Sequence, residues 1–151
     1  MVNIMFVCFG NICRSPMAEF VMKDLVAKAG ESDQFKIESS GCYPREGNPM
    51  SQGTREQLRL HNIAFTDKRA AQLKRSDYNK YNYIIGMDRS NVKDIKYIMG
   101  GDVDNKIHLL LKFAGENRDV DDPWYTDDFE TTYADVLKGC RALLAKITTQ
   151  S

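Results

Sequence analysis

The residues with the strongest chemical signature stand together near the N-terminus, in the stretch Cys8-Phe9-Gly10-Asn11-Ile12-Cys13-Arg14-Ser15-Pro16. A thiol and, six positions on, a guanidinium supply a nucleophile and a bidentate clamp whose geometry matches phosphate oxygens. The apolar run Val2-Asn3-Ile4-Met5-Phe6-Val7 before them reads as a buried strand, and a helix is expected to start near Pro16. A strand that passes through a short glycine-bearing loop into a helix aims several backbone N–H groups, and the positive end of the helix dipole, at one point. That point favours an anion. Cys8, beside a helix N-terminus and near Arg14, is placed to react as the thiolate, the nucleophilic form of cysteine. Attack on phosphorus then needs little beyond positioning and charge stabilisation, which the amides of Phe9, Gly10, Asn11, Ile12 and Cys13 together with Arg14 supply. Ser15 has two readings that the spacing leaves open: it caps the helix, or it donates a hydrogen bond to Cys8. Each of these residues taken alone has an ordinary structural explanation; the pattern is informative because strand, loop, Cys, Arg and helix occur in register.

This stretch resembles the phosphate-binding loop of the low-molecular-weight protein tyrosine phosphatases, which lies near the N-terminus in that family. The resemblance implies a protein-tyrosine-phosphatase, a phosphoric monoester hydrolase that works without a cofactor through a cysteinyl-phosphate. Its substrates would be phosphotyrosine-containing proteins and small aryl phosphates, and its product inorganic phosphate. Cys13 reads from proximity either as packing or as a resolving thiol for an oxidised Cys8; the resemblance favours the second.

A second motif, Val120-Asp121-Asp122-Pro123-Trp124-Tyr125, resembles the family's Asp-Pro-Tyr-Tyr element and precedes the last expected helix. Tyrosyl oxygen is a poor leaving group, so a carboxylic acid that protonates it is worth about a hundredfold or more. Asp122 is the expected acid, because Pro123 holds the preceding residue extended. Trp124 and Tyr125 are expected to form an aromatic wall for the substrate ring. The family most often has Tyr at the position of Trp124 and Gly at that of Thr126. The same tyrosines are phosphorylation sites in some relatives, a role only Tyr125 keeps. Asp88-Arg89-Ser90-Asn91 resembles another family element, and Asp88 is expected to be a structural anchor near the site.

The loop Cys42 to Ser51, with Pro44, Gly47 and Pro49, leaves the end of the second strand; in the resembled family it lines the cleft, which makes Tyr43 and Arg45 candidate wall residues. Three departures from the family pattern fall around it. Ser51 stands where an Asp is common, Lys68 where a His is usual and Ala71 where an Arg is usual, so the hydrogen bonds that support the loop in relatives must be rebuilt or absent.

The elements that must position these groups follow from periodicity. Met17 to Ala29 reads as a helix with Val21, Leu25 and Ala29 on one face, stopped by Gly30. Phe35 to Ser40 alternates as a strand closed by Gly41, and strand, helix, strand at this spacing is a βαβ unit with parallel strands. A second helix is expected over Gln52 to His61, a third strand over Tyr81 to Met87, and a helix from the Asp88 cap to about Met99. A fourth strand is expected over Lys106 to Phe113. The last helix spans about Phe129 to Ile147, with Tyr133, Val136, Leu137, Cys140, Leu143, Leu144 and Ile147 forming one face and Cys140 in the core. The expected fold is a doubly wound α/β domain: a four-stranded parallel sheet, helices on both faces, and the phosphate-binding loop after the first strand.

The 151 residues suit one domain, residues 1–151, with room for a proper core. Lys plus Arg and Asp plus Glu number 21 each, so the chain lacks the basic field of nucleic-acid binders. The N-terminal apolar run is too short to span a membrane and has no charged leader, so a cytoplasmic protein with no membrane partner is expected. The four cysteines match neither a zinc site nor a disulfide framework. His61 and His108 sit in no metal-ligand pattern, and neither a metal nor a histidine base is expected. Two other functions share the loop. An arsenate reductase needs a relay of later thiols, which Cys42 and Cys140 are poorly spaced to provide, and a non-catalytic phosphotyrosine-binding module has no use for Cys8, Arg14 and Asp122 together.

Overall fold

The computed structural model describes residues 1–150. Strands β1 (Val2–Cys8), β2 (Phe35–Gly41), β3 (Tyr83–Gly86) and β4 (Ile107–Leu109) form one parallel sheet in the order β2-β1-β3-β4. Successive side chains of a strand point to opposite faces, and each face is covered. On one, Ile4, Phe6, Cys8, Ile37 and Ile85 pack against helices α1 (Arg14–Lys28), α2 (Gln52–Leu60) and α5 (Phe129–Thr149). On the other, Met5, Val7, Ile84 and Ile107 pack against α3 (Arg89–Met99) and against Leu73, Tyr78 and Tyr81. The expected doubly wound sheet is the one observed.

The chain leaves β1 to form β2 on one side and later returns to form β3 on the other. Such a reversal opens a crevice beyond the carboxyl ends of the two central strands, where open α/β sheets bind ligands. Here the loop after β1 begins at Cys8 and the loop after β3 carries Asp88. Two residues far apart in sequence thus come to one end of the sheet because of strand order.

Several elements differ from their sequence-based bounds, each for a local reason. Helix α1 begins at Arg14, ahead of Pro16, and its first half is buried all round because it runs between sheet and helices. Its inward residues further on are Val21, Met22 and Val26; Ala29 is exposed, and Gly30, with φ of 71°, turns the chain out. The fourth strand is the larger correction: pairing stops at Leu109, and Leu110–Ala114 form a 3₁₀ turn. Leu109, Leu110 and Leu111 are consecutive and all buried. Continued alternation would send Leu110 to the face opposite its neighbours, whereas the turn delivers both Leu110 and Leu111 to the cluster under α5. Strand β3 is also shorter than expected, flanked by buried Tyr81 and Met87. Helix α5 has the expected face, with Cys140 fully buried. His61 closes α2 and stacks on Tyr133 with centroids 3.8 Å apart, and His108 packs beside Tyr83 and Phe113.

Candidate active site

The loop after β1 is shaped by what holds its carbonyls. The Cys8 and Phe9 carbonyls accept the Cys42 and Tyr43 N–H groups at 3.0 and 2.9 Å. The Ile12 carbonyl accepts Ser51 N–H at 2.9 Å, and the Cys13 carbonyl accepts the Thr54 hydroxyl at 3.0 Å. With the carbonyls tied outward, the peptide dipoles aim their N–H ends inward, which is the arrangement of an anion-binding nest. Asn11 takes φ of 57°, a left-handed conformation that asparagine tolerates better than most residues. Gly41, at the end of β2, must lack a side chain, because a Cβ there would stand 2.8 Å from the Phe9 carbonyl oxygen.

Beneath the loop a buried polar chain fixes its shape. Asn11 accepts Ala71 N–H at 3.0 Å and donates to Ser15 Oγ at 2.8 Å and Ser39 Oγ at 3.0 Å. Ser39 donates to Glu19 at 2.6 Å, and Lys23 pairs with the other Glu19 oxygen at 2.7 Å. Lys68, at the position where His is usual, is half-buried; desolvation lowers its pKa, opposed by the Glu19 and Glu38 carboxylates. The support that the departures from the family pattern put in question is therefore rebuilt with the Ala71 backbone, a cation near Glu19, the Ser51 N–H and the Thr54 hydroxyl.

Cys8 Sγ accepts the Asn11 N–H at 3.3 Å and lies 3.0 Å from Ser15 Oγ. Ser15 makes no capping bond, as Cys13 occupies the helix N-cap, and its hydroxyl instead lies within hydrogen-bond distance of Cys8 Sγ, where either atom can donate. Arg14, 2% exposed, donates to Asp88 at 2.6 Å and to the Val120 carbonyl at 2.9 Å, and reaches Asp122 at 3.4 Å. Burial by itself would lower the Arg14 pKa; Cys8, Asp88 and Asp122 more than offset it, and the guanidinium is held above its ordinary value. Asp88 also caps α3, accepting Asn91 N–H at 2.6 Å, so the clamp is anchored to the helix beyond β3. Asp122 precedes Pro123 in extended backbone and caps the short helix α4 (Pro123–Thr126) by accepting Trp124 N–H at 3.0 Å. Its other oxygen faces Arg14.

These groups surround a cavity of about 640 Å³, within the range of small-molecule sites. Cys8, Phe9, Gly10, Ile12, Cys13 and Arg14 line its floor, with Asp122, Trp124 and Tyr125 at one wall. Three of the expected site residues lie off this lining. Asn11 and Ser15 act from beneath, as described, and Tyr43 packs behind Phe9 at 5.5 Å between ring centroids. Arg45 is exposed and also off the lining. Ser90, Asn91, Asp94 and Asp119, which sequence reasoning did not single out as site residues, do line it; only the nearness of Asp88-Arg89-Ser90-Asn91 to an expected strand end could have signalled the first two. Among the described residues no group of three or more His, Cys, Asp or Glu side chains could hold a metal ion. A sulfur that accepts a backbone N–H, an inward N–H nest and an immobilised guanidinium can together take up a tetrahedral oxyanion and present it to Cys8 Sγ.

The comparisons with known proteins converge on one family. A family model for low molecular weight phosphotyrosine protein phosphatase matches residues 3–151. The low molecular weight protein-tyrosine-phosphatase YfkJ of Bacillus subtilis (strain 168) is 39% identical over 150 residues, which cover 97% of this chain and 96% of that one. The crystal structure of YfkJ superposes with a TM-score of 0.96 at 38% identity, covering 100% of this chain and 97% of that one. The low molecular weight protein tyrosine phosphatase SP-PTP of Streptococcus pyogenes gives a TM-score of 0.86 at 44% identity, over 97% and 93% of the two chains. With the loop, the strand order and the match over nearly the whole sequence in agreement, the chain belongs to the low molecular weight phosphotyrosine protein phosphatase family.

Proposed function

We propose that this enzyme hydrolyses phosphotyrosine in proteins through a cysteinyl-phosphate, with Cys8 as nucleophile, Arg14 and the loop amides as oxyanion clamp and Asp122 as acid and base. In the first step the Cys8 thiolate attacks phosphorus, the bond from phosphorus to tyrosyl oxygen breaks, and protonated Asp122 gives its proton to that oxygen. In the second, the Asp122 carboxylate takes a proton from water, the water oxygen attacks phosphorus, and the sulfur–phosphorus bond breaks to release inorganic phosphate and the thiolate. Arg14 serves both steps because charge on the equatorial oxygens is what the protein must stabilise. Trp124 and Tyr125, both largely exposed beside the cavity, are placed to stack on the substrate ring. The observation that carries the reading is the convergence of Cys8 Sγ, with Ser15 Oγ at 3.0 Å and Asn11 N at 3.3 Å, on a cavity whose cation is pinned by Asp88.

The activity is assigned to one domain, residues 1–151, supported by the two side-chain clusters that share a single sheet. A cytoplasmic location is supported by four free cysteines, which a reducing compartment preserves. No helix among the described residues is long and apolar enough to cross a membrane. Cys8→Ser tests the mechanism: turnover is expected to vanish while a phosphotyrosine peptide still binds, because the cradle is backbone and Arg14. Appreciable hydrolysis by that variant refutes covalent catalysis through Cys8.

A further inference from the structure

One side of the cavity is left unused by the chemistry above. Phe9 lines it and is 53% exposed, and behind it stands Tyr43, 50% exposed, with the two rings tilted by 52°. Asp94 lines the same cavity from the second turn of α3. Phe9 links the two, since it lines the cavity with Asp94 and packs on Tyr43, and the Asp94 carboxylate is the main cause that raises the Tyr43 phenol above its ordinary pKa. Tyr97, largely exposed, follows Asp94 at the i+3 spacing that shares a helix face.

The charges at this mouth are one-sided. Asp88, Asp94, Asp119, Asp121 and Asp122 line the cavity against a single cation, Arg14. Arg14 is held by Asp88 and Asp122, and Asp119 by Arg89. Asp94 has no ion pair among the described residues, and a bound phosphate would occupy Arg14 fully. A free carboxylate beside exposed aromatic faces suits a cation on a long aliphatic stem, which gains both a charge contact and a cation–π contact while its stem lies on the rings. An acidic side chain in the same place is repelled.

We propose that Phe9, Tyr43 and Asp94 form a subsite for a lysine or arginine side chain close to the phosphotyrosine, so that the enzyme selects phosphotyrosine in basic surroundings. This rests on the phosphotyrosine reading above. The occupant is a residue of the substrate protein, and Asp94 is its specificity-determining partner.

The experiment uses phosphotyrosine peptides that differ at one position, carrying Lys, norleucine or Glu in turn at each of the two places on either side of the phosphotyrosine. Every kcat/KM is divided by that of the same enzyme on p-nitrophenyl phosphate, which cancels a general loss of activity. At the position that reaches the subsite, Lys is expected to exceed norleucine by about fivefold, the size of one rim charge contact with a cation–π contribution. Norleucine should in turn exceed Glu. Asp94→Asn should bring the Lys to norleucine ratio below about two on the same reasoning, and Asp94→Lys should make Glu the better residue. Equal rates for Lys and norleucine at all four positions overturn the proposal, as does a Lys preference that survives Asp94→Asn. A preference lost in Asp121→Asn instead moves the basic residue to the opposite wall and equally overturns it. If neither the peptides nor the aryl phosphate are hydrolysed, the phosphatase reading itself fails and this inference falls with it.

Discussion

Ser15→Ala isolates one hydrogen bond at the centre of the mechanism. Ser15 has a single proton to give. In the structure its oxygen lies 3.0 Å from Cys8 Sγ and 3.3 Å from the Ser40 carbonyl, and it accepts from Asn11 Nδ2 at 2.8 Å. When the sulfur is anionic the proton belongs on the shorter, charge-assisted bond. A hydrogen bond to a charged group contributes about 1.5–3 kcal/mol net, and each 1.36 kcal/mol in a barrier is about tenfold in rate. Losing it should therefore slow the steps that use the thiolate by about 10- to 150-fold. The departing thiolate of the second step has no new bond to compensate it, so breakdown of the cysteinyl-phosphate should suffer most. Rapid-mix measurement with p-nitrophenyl phosphate should show a burst of nitrophenol followed by a slow steady rate. Folding should suffer less, by about 1 kcal/mol, because Asn11 Nδ2 keeps its 3.0 Å bond to Ser39. A fall in kcat of less than about threefold would refute the assignment of the proton to Cys8. So would a loss of stability large enough to account for the whole effect.

Asp122→Asn should lower kcat on aryl phosphates by about a hundredfold or more, whereas Asp121→Asn, with no bond to Arg14, should cost less than about threefold; an equal or larger loss at Asp121 makes it the acid. Peroxide should convert the Cys8 thiolate to a sulfenic acid, which the Cys13 thiol captures as a disulfide with loss of water, and dithiothreitol should restore activity. Burial pushes the Cys13 thiol up to about 11, so at neutral pH it is protonated and capture should accelerate as pH rises toward that value; Cys13→Ser should remain active but lose the recovery. Peptide mapping decides it: a Cys8 to Cys42 cross-link would refute this, and Cys42 packs with Met5 and Val7 on the face opposite Cys8. Gly139→Ala tests the packing of α5 on Leu110, which a Cβ at Gly139 would overlap. Overpacking of about 1–3 kcal/mol should outweigh the helix propensity gain of about 1 kcal/mol and lower Tm by up to several degrees in calorimetry; an unchanged or higher Tm would show that Leu110 moves at no cost.

The stretch from Cys8 to Pro16 was legible as a strand end, a tight loop and a helix start because these are neighbours in sequence, and they carry the proposed nucleophile, clamp and N–H donors with them. The parallel sheet was legible for the same kind of reason, since alternation and helical spacing are properties of short windows. Leu110 and Leu111 show where windows fail: a run of apolar residues reads as strand, and only the pull of α5 on both side chains turns it into a 3₁₀ turn. The role of Ser15 was undecided in sequence, because capping and bonding to sulfur call for the same hydroxyl, and choosing between them takes the position of Cys8 Sγ. Asp88 and Asp122 lie 74 and 108 positions from the Arg14 they hold. No local pattern ties such residues together. Strand order brings the ends of β1 and β3 to one crevice, the Val120 N–H bonded to the Met87 carbonyl brings the segment of Asp122 to the same place, and Phe9 and Asp94 there line one cavity. Local propensity thus wrote the cradle, while the anchoring of its cation and the character of its rim came from long-range packing, whose energy depends on partners no short stretch of sequence contains.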